Sequence, residues 1–414
     1  MTNAQESSAD RCNSLVSYAC LFWLFVVLDS FFIWNRFEGI IRVIAGGAVV
    51  ISSIFFKRHD LLQLSRKEFA SFFFVFLYYL WLTVSLDDNI FKLIGRASAF
   101  VPLLLLLFWP YHQLMDIYYR FRKVVIFFAI GSTVVSLFAF TGLLDHVPFY
   151  VLEARSALHE RLGIEYHVYG LFLTNYGGVD FLPRACGMLQ EPGHFAIILG
   201  FVYITDRLLC NKLSFWIIIC GVLTFSSAFF LLAFMAELFN ITTRKKLFKL
   251  LLSVLGVATI LLIVYFSLSS DLQDQVRFLA YERNLEEVVS AGSLNEALDE
   301  RTNTSGDAIW LKIDSSNIWT GLNTTDDSII LSDYRGIIVK IGLIGLLLLA
   351  ISAFFTTRGL SFREKSPLLF FHALVLIHRS WMYGSPYMFA MAFIAASSFL
   401  CMPVSGHRVT EKAE

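Results

Sequence analysis

The chain has 414 residues, of which 57% are hydrophobic and only 16% charged, and its mean hydropathy is +0.65. A soluble surface needs more charge than this, and the long apolar runs point to membrane spans rather than to two or three soluble domains. Basic and acidic residues both number 33, so a formal charge of zero excludes bulk electrostatic binding of nucleic acid.

The polar N-terminus, MTNAQESSAD, runs into a first apolar stretch at 14–34. Asp29 and the absence of a small-residue cleavage site predict an uncleaved signal anchor there. At about 20 residues per span, further spans fall at 38–56, 69–86, 90–109 and 124–144. A long segment, 145–193, then precedes spans at 194–210, 213–224, 226–240 and 250–268. A second long segment, 269–335, is followed by spans at 336–355, 367–383 and 386–402. The expected fold is an all-α polytopic membrane protein: one transmembrane domain over 1–414, about 12 helices, and no fixed-period repeat. The 42 Phe and 8 Trp suit lipid-facing helices and interfacial belts.

The stretch 213–240 decides the parity. As one helix it would be about 42 Å long, too long for an untilted span. A break near Thr224–Ser227 makes two short segments and keeps the basic cluster Arg244, Lys245 and Lys246 on the side of the N-terminus. With that break, 19 of the 33 lysines and arginines lie in segments on the N-terminal side. Only 8 lie opposite, leaving aside the long 269–335 loop. By the positive-inside rule both termini are then cytoplasmic and both long segments are external loops. Loops of that length fold into structure of their own. In the second, Ser270 with Gln273 and Ser293 with Glu296 fit capping boxes. Leu272, Val276 and Leu279 recur there as on an amphipathic surface helix.

The six cysteines form no CxxC pair and fall mostly in or beside apolar runs, so neither a structural disulfide nor a zinc site is signalled. The densest group of reactive side chains closes the first long loop: Arg184-Ala-Cys-Gly-Met-Leu-Gln-Glu191-Pro-Gly-His194-Phe. Pro192 and Gly193 can hold a tight turn that aims Glu191 and His194. Alternatively Pro-Gly only starts the next helix, with Glu191 favourable at its N-terminus.

The string RACGMLQEPGHF resembles the Arg-x-x-Gly…Glu-Pro-Gly signature of Wzy-type O-antigen and exopolysaccharide polymerases. The layout is similar to that family and to the related O-antigen ligases, with a dozen or so spans, a large late external loop and an arginine near the penultimate span. The stretch Gly321–Gly345 also looks like the family's segment after that loop. The ligases usually carry a His-Asn pair there, where this chain has Asp326, Asp327 and Ser328, which weighs against ligase.

The resemblance implies a GT-C-like membrane glycosyltransferase at the periplasmic face of the bacterial inner membrane. Its substrates would be oligosaccharides linked to undecaprenyl diphosphate, with membrane lipid and a chain-length regulator protein as further partners. The guanidinium fork binds phosphate oxygens bidentately and stays charged in low dielectric, so Arg184, Arg277 and Arg379 are the expected diphosphate ligands. The alternative for each is a headgroup anchor or a snorkelling side chain, weightier for Arg277 and Arg379 than for Arg184. The acceptor hydroxyl must lose a proton, and Glu191, then His194 and Asp327, are the expected bases. A nearby arginine would keep such a carboxylate ionised. No Asp-x-Asp motif occurs, so no cofactor or bound divalent cation is expected. Competing readings are an O-antigen ligase, a transporter or flippase for lipid-linked oligosaccharide, and a receptor or scaffold whose loops only bind. Asp29, Arg42, Arg96 and Glu237 lie within or near spans, where charges are costly and either functional or paired.

Overall fold

The computed structural model describes residues 2–28, 38–57, 66–85, 90–141, 143–152, 164–177, 184–189, 191–209, 214–239, 308–322, 334–357 and 359–401, with isolated positions between 248 and 273. Arg277, Asp327, most of the expected 250–268 span and the second expected capping box, Ser293 with Glu296, lie outside them, whereas Ser270 and Gln273 of the first are both helical.

The described chain is mostly helical. Five helices precede the first long loop: α1 (Thr2–Val27), α2 (Glu38–Lys57), α3 (Arg66–Ser85), α4 (Ile90–Leu106) and α5 (Tyr111–Phe140). Three follow it: α6 (Pro192–Leu209), α7 (Phe215–Leu223) and α8 (Ser227–Phe239). The C-terminal group is α9 (Tyr334–Thr356), α10 (Phe362–Arg379), a 3-10 turn (Ser380–Gly384) and α11 (Tyr387–Cys401). Two segments, Tyr111–Ala139 and Tyr334–Thr356, are helices long and apolar enough to cross a membrane.

The expectation of an all-α chain is corrected by the first loop. Residues 150–187 carry a four-stranded antiparallel sheet in the order β1 (Tyr150–Leu152), β2 (Ile164–Tyr169), β3 (Phe172–Gly177), β4 (Arg184–Gly187). The hairpin β2–β3 pairs Tyr169 with Phe172, and Gly170 takes the first turn position with a left-handed φ of 66°. Aromatic and β-branched side chains favour this pleated surface over a helix. Phe172 seats the hairpin on the bundle: its ring lies against Gly131 of α5, where a Cβ would come within 2.0 Å of it.

The break expected near 224–227 is present between α7 and α8. Phe225, at φ 47°, is the one non-glycine residue with positive φ among the described residues. Across the break the Phe229 ring lies over Gly221. A second break lies inside α9, where Gly342 has φ 68°. There segment 318–322 supplies the missing partners. Leu343 and Ile344 N–H groups donate to the carbonyls of Ile318 (2.8 Å) and Trp319 (3.2 Å), and Leu322 N–H donates to Val339 O (2.7 Å). The Trp81 indole of α3 donates to Ile341 O at 2.9 Å. A backbone carbonyl freed inside an apolar bundle is costly unless some donor reaches it.

Polar contacts sort the helix ends into two levels. At one end Arg122 of α5 holds Asp206 of α6 (2.6 and 2.8 Å), with Tyr118 donating to the same carboxylate, and Arg207 of α6 pairs with Glu237 of α8. Glu237, expected from sequence within or near a span, is thereby paired with an arginine. The opposite end gathers the sheet, the α7–α8 break, the start of α6, the end of α10 and the start of α11.

Candidate functional site

The segment Gly187–Phe195 is laid out by two local constraints. Gly187, in the left-handed region at φ 63°, lets the chain leave β4 beneath the Phe195 ring, which a Cβ would meet at 2.4 Å. Pro192 then opens α6, where its missing N–H costs nothing. Pro192 and Gly193 are the first helical residues rather than a free-standing tight turn. Glu191 caps them, its carbonyl accepting from the N–H groups of His194 and Phe195, both at 3.1 Å.

Glu191 forms an ion pair with Arg379, 188 residues away at the end of α10, and both side chains remain partly exposed. Two of the residues singled out from sequence are therefore brought together by the fold. The Arg379 guanidinium lies across Gly193. His194 faces inward. It is 4% exposed, its Nε2 is 3.0 Å from the Tyr387 hydroxyl, and its ring meets Trp381 edge-on at 5.4 Å. It ties α6 to the 3-10 turn and α11 and is not open to solvent.

Arg184, expected as a diphosphate ligand, carries a structural contact as well. It is 8% exposed, and its Nε and Nη2 donate to the carbonyls of Thr224 (3.0 Å) and Phe225 (3.2 Å). It ties β4 to the α7–α8 break.

Tyr166 of β2 is a member of the site that the sequence reading missed. It is 2% exposed, and burial pushes its hydroxyl far above the ordinary tyrosine range. The Cys186 thiol and the Glu191 carboxylate push it the same way, whereas Arg379 and Arg184 oppose them. It is thus a neutral hydroxyl surrounded by the charges of the site. Its sequence signal was its place in the Ile164–Gly177 hairpin, which aligns it opposite Asn175, itself paired with Arg184.

Among the described residues, no three His, Cys, Asp or Glu side chains converge as metal ligands would. The arrangement offers instead one carboxylate, one guanidinium reachable from solvent, a buried phenol and a histidine locked behind them. Comparison with protein-family models, curated proteins and solved structures finds no match to this chain.

Proposed function

We propose that the chain is a membrane glycosyltransferase of GT-C-like architecture. It joins undecaprenyl-diphosphate-linked oligosaccharide repeat units into O-antigen or exopolysaccharide at the periplasmic face of the bacterial inner membrane, with both termini cytoplasmic. The observation that carries this reading is the Glu191–Arg379 pair: a proton acceptor and an oxyanion ligand, joined across most of the chain, at the end of the bundle covered by the sheet.

The bundle suits lipid. Helix α2 presents Ile40, Val43, Ile44, Ile51 and Ile54 outward as an exposed apolar stripe, which a helix of a soluble bundle would bury. Asp206 and Glu237 are each paired with an arginine, as charges at membrane depth require.

In the reaction, the acceptor sugar hydroxyl attacks the anomeric carbon of the donor. The new glycosidic C–O bond forms as the bond to the diphosphate breaks, and the diphosphate leaves with that electron pair. Glu191 takes the hydroxyl proton. Arg379 binds the oxygens on which negative charge accumulates, a stabilisation typically worth on the order of 10²–10³ in rate. Tyr166, neutral and buried, lies within electrostatic reach of both groups.

The test is deletion of the gene followed by gel analysis of surface polysaccharide. A polymerase mutant keeps single repeats and loses the long ladder. Loss of all attached repeats would make the protein a ligase, and accumulation of unexported lipid-linked units would make it a flippase.

A further inference from the structure

Gly193 is the second residue of α6, and its backbone gives no reason for glycine. It is not among the left-handed glycines, which are Gly170, Gly187, Gly321, Gly342 and Gly359 among the described residues. Alanine is the better helix former at a helical position, so local energetics favour replacing it. What forbids a side chain is tertiary. A Cβ at Gly193 would lie 2.6 Å from Nη2 of Arg379 and 3.3 Å from both Cζ and Nε. The three contacts run along the guanidinium, so the group lies over the Gly193 α-carbon while Nη1 reaches Glu191.

We propose that Gly193 is a positioning residue: its missing side chain is the seat of the Arg379 guanidinium, and that seat holds Arg379 against Glu191. The chain around it supports the assignment. Arg379 sits at the junction of α10 and the 3-10 turn, with backbone φ −155° and ψ 61°, so its side chain leaves the helix end and must travel to α6. His194, next to the seat, fixes the turn and α11 to α6 through Trp381 and Tyr387. The height of the guanidinium above α6 is then set by what projects from Gly193. A methyl group there lifts the guanidinium off Glu191. Because the displaced atoms are the tip of a flexible side chain rather than backbone, the fold survives the change. Within the proposed reaction the same lift takes Arg379 away from the diphosphate, so the inference rests on that reading for its functional consequence but not for its structural one.

The experiment is a double-mutant cycle on thermal unfolding of the full-length protein in detergent, with wild type, Gly193→Ala, Arg379→Ala and the double variant, each with and without inorganic pyrophosphate. Between contacting residues the cycle is non-additive. In the Arg379→Ala background only helix propensity remains, and Gly193→Ala raises the melting temperature. In the Arg379 background the same change lowers it. That reversal of sign is a readout a merely structural glycine would not give. Pyrophosphate raises the melting temperature of wild type and fails to do so for Gly193→Ala and Arg379→Ala. Equal shifts from Gly193→Ala in both backgrounds overturn the positioning role. A reversed sign in a wild-type protein that ignores pyrophosphate keeps Gly193 as the seat and overturns the diphosphate reading.

Discussion

The Arg184 guanidinium hydrogen-bonds the carbonyls of Thr224 and Phe225, tying the last strand of the sheet to the break between α7 and α8. The residue that most resembles a family phosphate ligand is thus also a cap on an interrupted helix. The helix turns because Phe225 takes a left-handed conformation, and the carbonyls released there take Arg184 as their donor.

Arg184→Ala should therefore act on stability as well as on activity. Two carbonyls lose their donor, at about 1–3 kcal/mol each. Arg184→Lys retains the charge but loses the fork, and should keep no more than half of that stabilisation. Thermal unfolding in detergent checks this. A melting temperature unchanged in both variants would show that Arg184 does not hold the break.

Gly342 should tolerate no side chain. A Cβ there would fall 2.2 Å from the Trp319 carbonyl oxygen, a backbone atom fixed by its own hydrogen bonds, and the residue has a φ of 68°. Gly342→Ala should destabilise by about 2 kcal/mol or more, combining strain in the left-handed region with overpacking. Gly47 of α2, which has nothing within 4 Å of a built Cβ, is the control. Gly47→Ala should stabilise by about 0.5–1 kcal/mol. Unfolding midpoints for the two variants should move in opposite directions.

Topology can be read by labelling single cysteines in intact cells. Val151 of β1, Leu311 within the second loop and Phe362 at the start of α10 are all exposed, whereas Cys20, Cys186 and Cys220 are buried. A membrane-impermeant maleimide should label Val151→Cys and Leu311→Cys in whole cells. It should label Phe362→Cys only after permeabilisation. Labelling of all three from outside would sink the proposed arrangement of the termini.

Glu191→Gln should stop polymerisation in purified protein supplied with lipid-linked repeat units. It keeps the shape and the backbone cap, but it removes the proton acceptor, at about 10²–10⁴ in rate. Wild-type activity should survive excess EDTA, with arginine supplying the positive charge. If the Gln variant retains activity, Glu191 is not the base. If EDTA abolishes wild-type turnover and magnesium restores it, arginine does not act alone.

The run of helices was legible in local hydropathy. Hydropathy is a sum over neighbouring residues, so apolar stretches place most described helices within a few residues of where they stand, and the excess length of 213–240 demands its break. Helices α1 and α5 begin at Thr2 and Tyr111, well before the expected 14 and 124, because their first turns are polar and hydropathy does not register them. The Ile164–Gly177 hairpin also had a local signal, alternating aromatic and β-branched residues around Gly170, which the all-α expectation overlooked. The break at Gly342 had none that hydropathy can register, because the apolar run continues through it and only segment 318–322, docking from outside, makes it stable. Which charges meet depends on packing between distant segments. The sequence placed Glu191, His194, Arg184 and Arg379 near one end of the bundle, but an ion pair depends on two side chains converging within a few ångströms, and 188 residues of chain separate Glu191 from Arg379. Their meeting was fixed by packing: His194 against Trp381 and Tyr387, Gly193 beneath the guanidinium, and the sheet over the break that Arg184 holds.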